Sequence, residues 1–120
     1  VQERIETPGF GPWSVKDNIP HVQPPDEVLD AMLTIRLHLD EATSESGALR
    51  VWPGSHAKPD QVWDQNESSI CEAMAGDVLL MRPRLVHASS KSTQNCSRRI
   101  VHLELAGTDL PNGLSWYESA

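Results

Sequence analysis

One hundred and twenty residues is the length of one domain, which excludes a pair of independently folding domains. Seventeen acidic against ten basic side chains give a net charge of −7, so broad contact with nucleic-acid phosphates or anionic lipid is not expected. No apolar run nears the roughly 18–20 residues of a membrane span, the first residues are too charged for a signal peptide, and Cys71 and Cys96 form no CxxC. The chain therefore reads as soluble and cytoplasmic with two reduced thiols. It opens Val1-Gln2-Glu3 without an initiator Met, as a processed or trimmed chain or a fragment of a longer one does.

Residues 1–27 hold Pro8, Gly9, Gly11, Pro12, Pro20, Pro24 and Pro25, which forbid a continuous helix and remove ladder donors from any strand. Phe10, Trp13, Val15 and Ile19 anchor this stretch as an ordered but irregular lead-in. Asp26, placed as an N-cap, predicts a helical turn over Asp26–Ala31. Leu33 to Asp40 then alternates strictly, apolar at odd and polar at even positions, which is a strand with a Leu/Ile face for the core and a polar face of Arg36, His38 and Asp40. After a turn-rich stretch, Ala48 to Trp52 is a second strand stopped by Pro53-Gly54, and the two strands are expected to be neighbours. Residues 57–69 read as a surface loop with one short helix. Ile70–Met74, Asp77–Arg82, Arg84–His87 and Arg98–Leu105 are four further extended segments. Six short strands and almost no helix predict an all-β sandwich or barrel. It is a single domain with lead-in 1–27, barrel strands 28–106 and a C-terminal tail 107–120.

His87 ends the segment Leu85-Val86-His87, and the small residues Ala88-Ser89-Ser90 leave room around its ring, a placement suited to a ligand at a barrel mouth. Alone it serves equally as a hydrogen-bonded structural His. Arg98 and Arg99 open the last strand, and by alternation only one of them faces inward, where a guanidinium captures a carboxylate in bidentate fashion.

Taken in order, the quoted segments resemble the phytanoyl-CoA dioxygenase family. They are Leu37-His38-Leu39-Asp40, Ser46 through the Pro53-Gly54-Ser55-His56 turn, Gly76-Asp77-Val78-Leu79-Leu80-Met81-Arg82-Pro83, Leu85 to Ser90, and Arg98-Arg99. The resemblance runs from about Gly9 to Trp116. It implies a double-stranded β-helix (jelly roll, cupin-like) and an Fe(II)- and 2-oxoglutarate-dependent oxygenase that hydroxylates a small aliphatic substrate. In such enzymes two His and one carboxylate hold the iron on one face. The resemblance implies His87 as the second His, Arg98 as partner of the distal carboxylate of 2-oxoglutarate, Ser89 as a second donor to it, and Arg36 on an inward position near it.

The departure is the HxD pair that supplies the other two ligands. The one HxD string is His38-Leu39-Asp40, which by the resemblance lies on a different strand from the metal pair. Either His38 and Asp40 ligate iron in an abbreviated site, or the metal pair falls upstream of Val1 and the barrel lacks its first strands; the second reading is favoured. On it, these 120 residues bind iron weakly or not at all and do not turn over. The alternative is a non-catalytic jelly-roll module that holds a small carboxylate or a sugar. Exposed strand edges around His87 and Arg98–Leu105 make a homodimer the expected assembly. Lys16 and His21 on the lead-in, His56 in the turn and His102 on the last strand are read as solvated or structural, with Ser55 fixing the turn.

Overall fold

The computed structural model describes residues 1–89, 91–93 and 96–118; Ser90 of the His87 segment and the last two residues of the C-terminal tail lie outside the described residues. Two compact units are seen, Val1–Met32 with Ala106–Ala120, and Leu33–Leu105. In the first, the lead-in is more regular than its proline content predicts. Strands β1 (Trp13–Lys16) and β2 (Ile19–Val22) form an antiparallel hairpin, Trp13 opposite Val22 and Lys16 opposite Ile19. Asp17 and Asn18 join them with φ of 50° and 63°, the conformation of a two-residue hairpin turn, which their short polar side chains tolerate. Helix α1 (Asp26–Asp30) follows. Its N-cap is Pro25 rather than Asp26, with no side-chain cap. Asp26 and Glu27 instead occupy the first turn, at the positive end of the helix.

The second unit is sheet-rich. Strands β3 (Met32–His38), β6 (Val78–Met81) and β8 (Ile100–Ala106) make one sheet in the order β6-β3-β8. Strands β4 (Leu49–Val51), β5 (Ser69–Cys71) and β7 (His87–Ser89) make another in the order β5-β4-β7. The expectation that the Leu33–Asp40 and Ala48–Trp52 strands pair is corrected, since β3 and β4 belong to different sheets. The chain between them supplies the crossover, tightened where Ser46 and Thr43 bond each other's backbone. The 57–69 loop follows one single 3₁₀ turn, Ser55–Ala57, and contains a second, Gln65–Glu67.

Leu49 and Val51 from β4 and Met81 from β6 are the buried centre of this unit, with Cys71, Leu79 and Leu85 packed against them, so the sheets face one another across an apolar core. Pairing fixes which side chains share that interior. In β7, His87 lies opposite Val51 and Ser89 opposite Leu49, placing both on the inward face. In β6, Met81 lies opposite Thr34 and Leu79 opposite Arg36, so the even-numbered side chains of β3 point inward. The expected facing of β3 is therefore reversed. Thr34 and His38 are buried, whereas Ile35 and Leu37 lie opposite Leu80 and Val78, which are 58% and 54% exposed. The alternation was legible, but the apolar face of β3 finds no covering layer in this unit.

Candidate functional site

The inward face of the β6-β3-β8 sheet gathers the polar groups. Arg36 is half-buried and its Nε, shut away from solvent, has no hydrogen-bond partner. His38, one turn of the pleat further on, is 2% exposed, and its Nδ1 is likewise buried and unpartnered. Arg98, two residues before β8, is close enough for its charge to act on both. Burial first, and then Arg36 and Arg98, push the His38 pKa below its ordinary 6.5 against an opposing pull from Asp77, so this imidazole is neutral at pH 7. Burial and Arg98 together lower the Arg36 pKa as well.

Further along β8, Glu104 accepts from Thr34 Oγ1 at 2.7 Å and meets His102 Nε2 at 2.7 Å, which extends the polar inner face. Glu104 did not stand out in the sequence beyond its even-numbered place on an alternating strand, and His102 was read only as solvated or structural. His38 also lines a cavity of about 200 Å³ together with Cys71, Glu72 and Asp77.

The other residues singled out from sequence are placed as follows. His87 is exposed on β7, its Nδ1 held by Leu85 O at 2.7 Å, so the proton sits on Nδ1 and Nε2 is free to accept. Ser89 shares its face. Ser55 is fully buried and does more than fix its own turn. Its Oγ accepts the Val86 N–H at 2.8 Å, while Trp52 N–H donates to Val86 O at 3.0 Å, and these two bonds position the strand that presents His87. Gly54, at φ 81°, lets the chain turn tightly enough to bring Ser55 there. Lys16 lies exposed on β1, and His21 lies exposed on β2, where it borders an apolar cavity of about 170 Å³ within the first unit.

Asp40 is committed elsewhere. Both its oxygens receive the Arg99 guanidinium, Nε to Oδ2 at 2.9 Å and Nη2 to Oδ1 at 2.8 Å, and Oδ2 also takes the Arg99 N–H at 2.7 Å. The Arg99 side chain and backbone hold the Asp40 carboxyl down to about 2. Both Asp40 oxygens are thus engaged by Arg99, Oδ2 twice and Oδ1 once. Among the described residues no three His, Cys, Asp or Glu side chains gather within reach of one metal ion. The residues present do not fit a three-ligand iron centre, whereas two guanidinium groups beside a neutral His fit an anion.

A sheet-rich unit with these motifs at its core belongs to a known class. The sequence profile of Phytanoyl-CoA dioxygenase (PhyH) matches residues 4–100, and the chain belongs to that family. It is 33% identical to Dioxygenase ALT11 of Alternaria alternata over 73 residues, covering 60% of this chain and 24% of that protein. Among solved structures it resembles AviO1 from Streptomyces viridochromogenes Tue57, with a TM-score of 0.61 and 25% identity over 87% of this chain and 46% of that one. It also resembles EvdMO1, with a TM-score of 0.58 and 27% identity over 82% of this chain and 23% of that one. The chain thus spans between about a quarter and a half of the length of these relatives. No helix among the described residues is long and apolar enough to cross a membrane.

Proposed function

We propose that this chain is a partial double-stranded β-helix of the phytanoyl-CoA dioxygenase family that binds a small carboxylate on the inner face of β3 and β8, without redox chemistry of its own. The observation that carries this reading is Arg36, whose buried Nε has no partner while a second guanidinium, Arg98, stands within electrostatic reach. Two like charges held together on a partly desolvated face are costly until an anion joins them. A dicarboxylate would satisfy both forks at once, and the neutral His38 adds a hydrogen-bonding nitrogen without adding a third positive charge. Family membership supports 2-oxoglutarate as that dicarboxylate, with Ser89 on the opposing sheet as a further donor.

Calorimetric titration of 2-oxoglutarate in the presence of a chelator tests this. We expect a dissociation constant of about 1 mM or tighter, and a loss of about tenfold, or about 1.4 kcal/mol, on Arg98→Ala or Arg36→Met. No heat up to about 10 mM, or binding that appears only with Fe(II), overturns the reading.

A second reading has its own support in His87. Its ring is oriented by Leu85 O with Nε2 open on the inward face, which is how a protein presents a metal-ligating imidazole. On this reading the chain is the later part of a longer Fe(II)- and 2-oxoglutarate-dependent dioxygenase acting on a small aliphatic substrate, with the remaining ligands outside the 120 residues. One His of this chain carries no step by itself. A cytoplasmic setting is supported by Cys71 and Cys96, both free thiols.

A further inference from the structure

Asp77 continues the inner face of the β6-β3-β8 sheet with a charge opposite to that of its arginines. The ladder between β3 and β6 runs one residue past Val78, where His38 N–H donates to Asp77 O at 2.9 Å. Leu79 lies inward opposite Arg36, so by alternation Asp77 lies inward beside His38. Both line the cavity of about 200 Å³, together with Glu72. The two carboxylates are fixed from the backbone, Asp77 Oδ2 accepting the Met74 N–H at 2.7 Å and Glu72 Oε1 the Ser44 N–H at 2.8 Å. What points to a ligand is His38, which is 2% exposed and lines this cavity with its Nδ1 shut away from solvent and unpartnered. A buried ring nitrogen left unpaired is costly until a bound molecule pairs it. Charges of both signs meet at this ring, Arg36 and Arg98 opposing a proton on it and Asp77 favouring one.

We infer that the ligand of this inner face is an amino-carboxylate zwitterion, its carboxylates on Arg36 and Arg98 and its ammonium group beside Asp77 and Glu72 in the His38 cavity. The inference deepens the reading above, since it rests on the same two guanidinium groups holding carboxylate. A dicarboxylate alone brings negative charge to within a strand spacing of Asp77, a repulsion that an ammonium group turns into attraction. An alkylammonium alone meets the two arginines with like charge. A single metal ion does not join these groups, because no three His, Cys, Asp or Glu among the described residues gather within reach of one. The spacing also fits. Asp77 stands one strand across from His38, about 5 Å, whereas Arg36 stands one pleat back along β3, about 7 Å, so the positive and negative sides are separated by the reach of a small molecule. L-glutamate has the carboxylates of 2-oxoglutarate with an ammonium group in place of the keto oxygen, and is the simplest molecule of this class.

Calorimetric titration of the 120-residue chain with L-glutamate and with glutarate, which differ in the ammonium group alone, tests the inference with a chelator present. We expect L-glutamate to bind about fivefold more tightly, the scale of one ion pair partly screened by water. N-acetyl-L-glutamate keeps both carboxylates and loses the positive charge, so it should bind no more tightly than glutarate, a result that needs no variant. Asp77→Asn keeps an oxygen for the Met74 N–H and removes the charge, and it should bring L-glutamate and glutarate to within about twofold of each other with the circular dichroism spectrum unchanged. Glutarate binding as tightly as L-glutamate, N-acetyl-L-glutamate matching L-glutamate, or a preference that survives Asp77→Asn overturns the zwitterion and leaves the carboxylate site standing. No binding of either glutarate or L-glutamate up to about 10 mM overturns the carboxylate site itself, and the zwitterion with it.

Discussion

The two sheets of the second unit use the same period-two alternation in opposite senses. In β5-β4-β7 the central strand sends Leu49 and Val51 inward, and Arg50 between them faces outward opposite Ile70 and Ala88. In β6-β3-β8 the central strand sends Thr34, Arg36 and His38 inward and leaves Leu33, Ile35 and Leu37 outside. A sheet with an apolar interior contributes cohesion, whereas one with a polar interior gives up part of that cohesion to hold groups that a ligand can use. The first sheet is the support and the second the site.

Breaking the support should have the largest effect. Leu49→Ala removes a side chain 4% exposed at the centre of the core and should cost about 3 kcal/mol in urea denaturation, with the cavity adding to the lost transfer energy. A loss below about 1 kcal/mol would mean that the sheets do not pack as described. Ser55→Ala comes next. It strips the Val86 N–H of its acceptor next to the His87 strand and should cost about 1–2 kcal/mol. The amide of Val86 should then exchange faster in hydrogen-exchange measurements, and an unchanged rate would remove Ser55 from its positioning role.

The site sheet is sharpened by pH rather than by truncation, with smaller effects. His38 has a folded pKa below its ordinary 6.5, so below that pH the unfolded chain takes up a proton that the folded chain refuses. Its effect is absent above about pH 6.5 and lowers stability as the pH falls below it, and His38→Gln should flatten that slope. A slope identical in the variant would place His38 in solvent. Asp40 acts in a separate, more acidic window. Held at about 2 by Arg99, it contributes stability that is full above its ordinary 3.8 and is lost as the pH falls through about 2. Arg99→Gln should return the Asp40 titration, followed by carbon-detected NMR, toward 3.8.

The strands of this unit were legible because alternation and Gly/Pro boundaries are local signals. Leu33–Asp40 and Asp77–Arg82 were found to within two residues at each end. The strand near His87 starts later than expected because Pro83 and a turn closed by Leu85 N–H to Arg82 O take up its first residues. The β1–β2 hairpin was obscured by prolines that sit at its edge, although Asp17-Asn18 carried the turn signal. Which face of β3 points inward could not be read from β3, because it depends on β6 and β4, which are distant in sequence. Of the site, Arg36 and Arg98 were singled out by family resemblance, since parity alone left Arg98 and Arg99 equivalent and gave Arg36 to the face opposite the apolar one. The burial of His38 and the engagement of Asp40 by Arg99 were not, since each rests on partners that only the fold brings near.

That last pair has a consequence for how the chain chooses between two adjacent arginines. Arg98 and Arg99 are chemically identical, and a slip of one residue along β8 would exchange their roles and turn every side chain of the strand over. Asp40 grips Arg99 through both guanidinium and backbone N–H, so it selects one of two equivalent cations and fixes the phase of the whole strand. A carboxylate that resembles half of a metal-binding motif thus acts as a register pin.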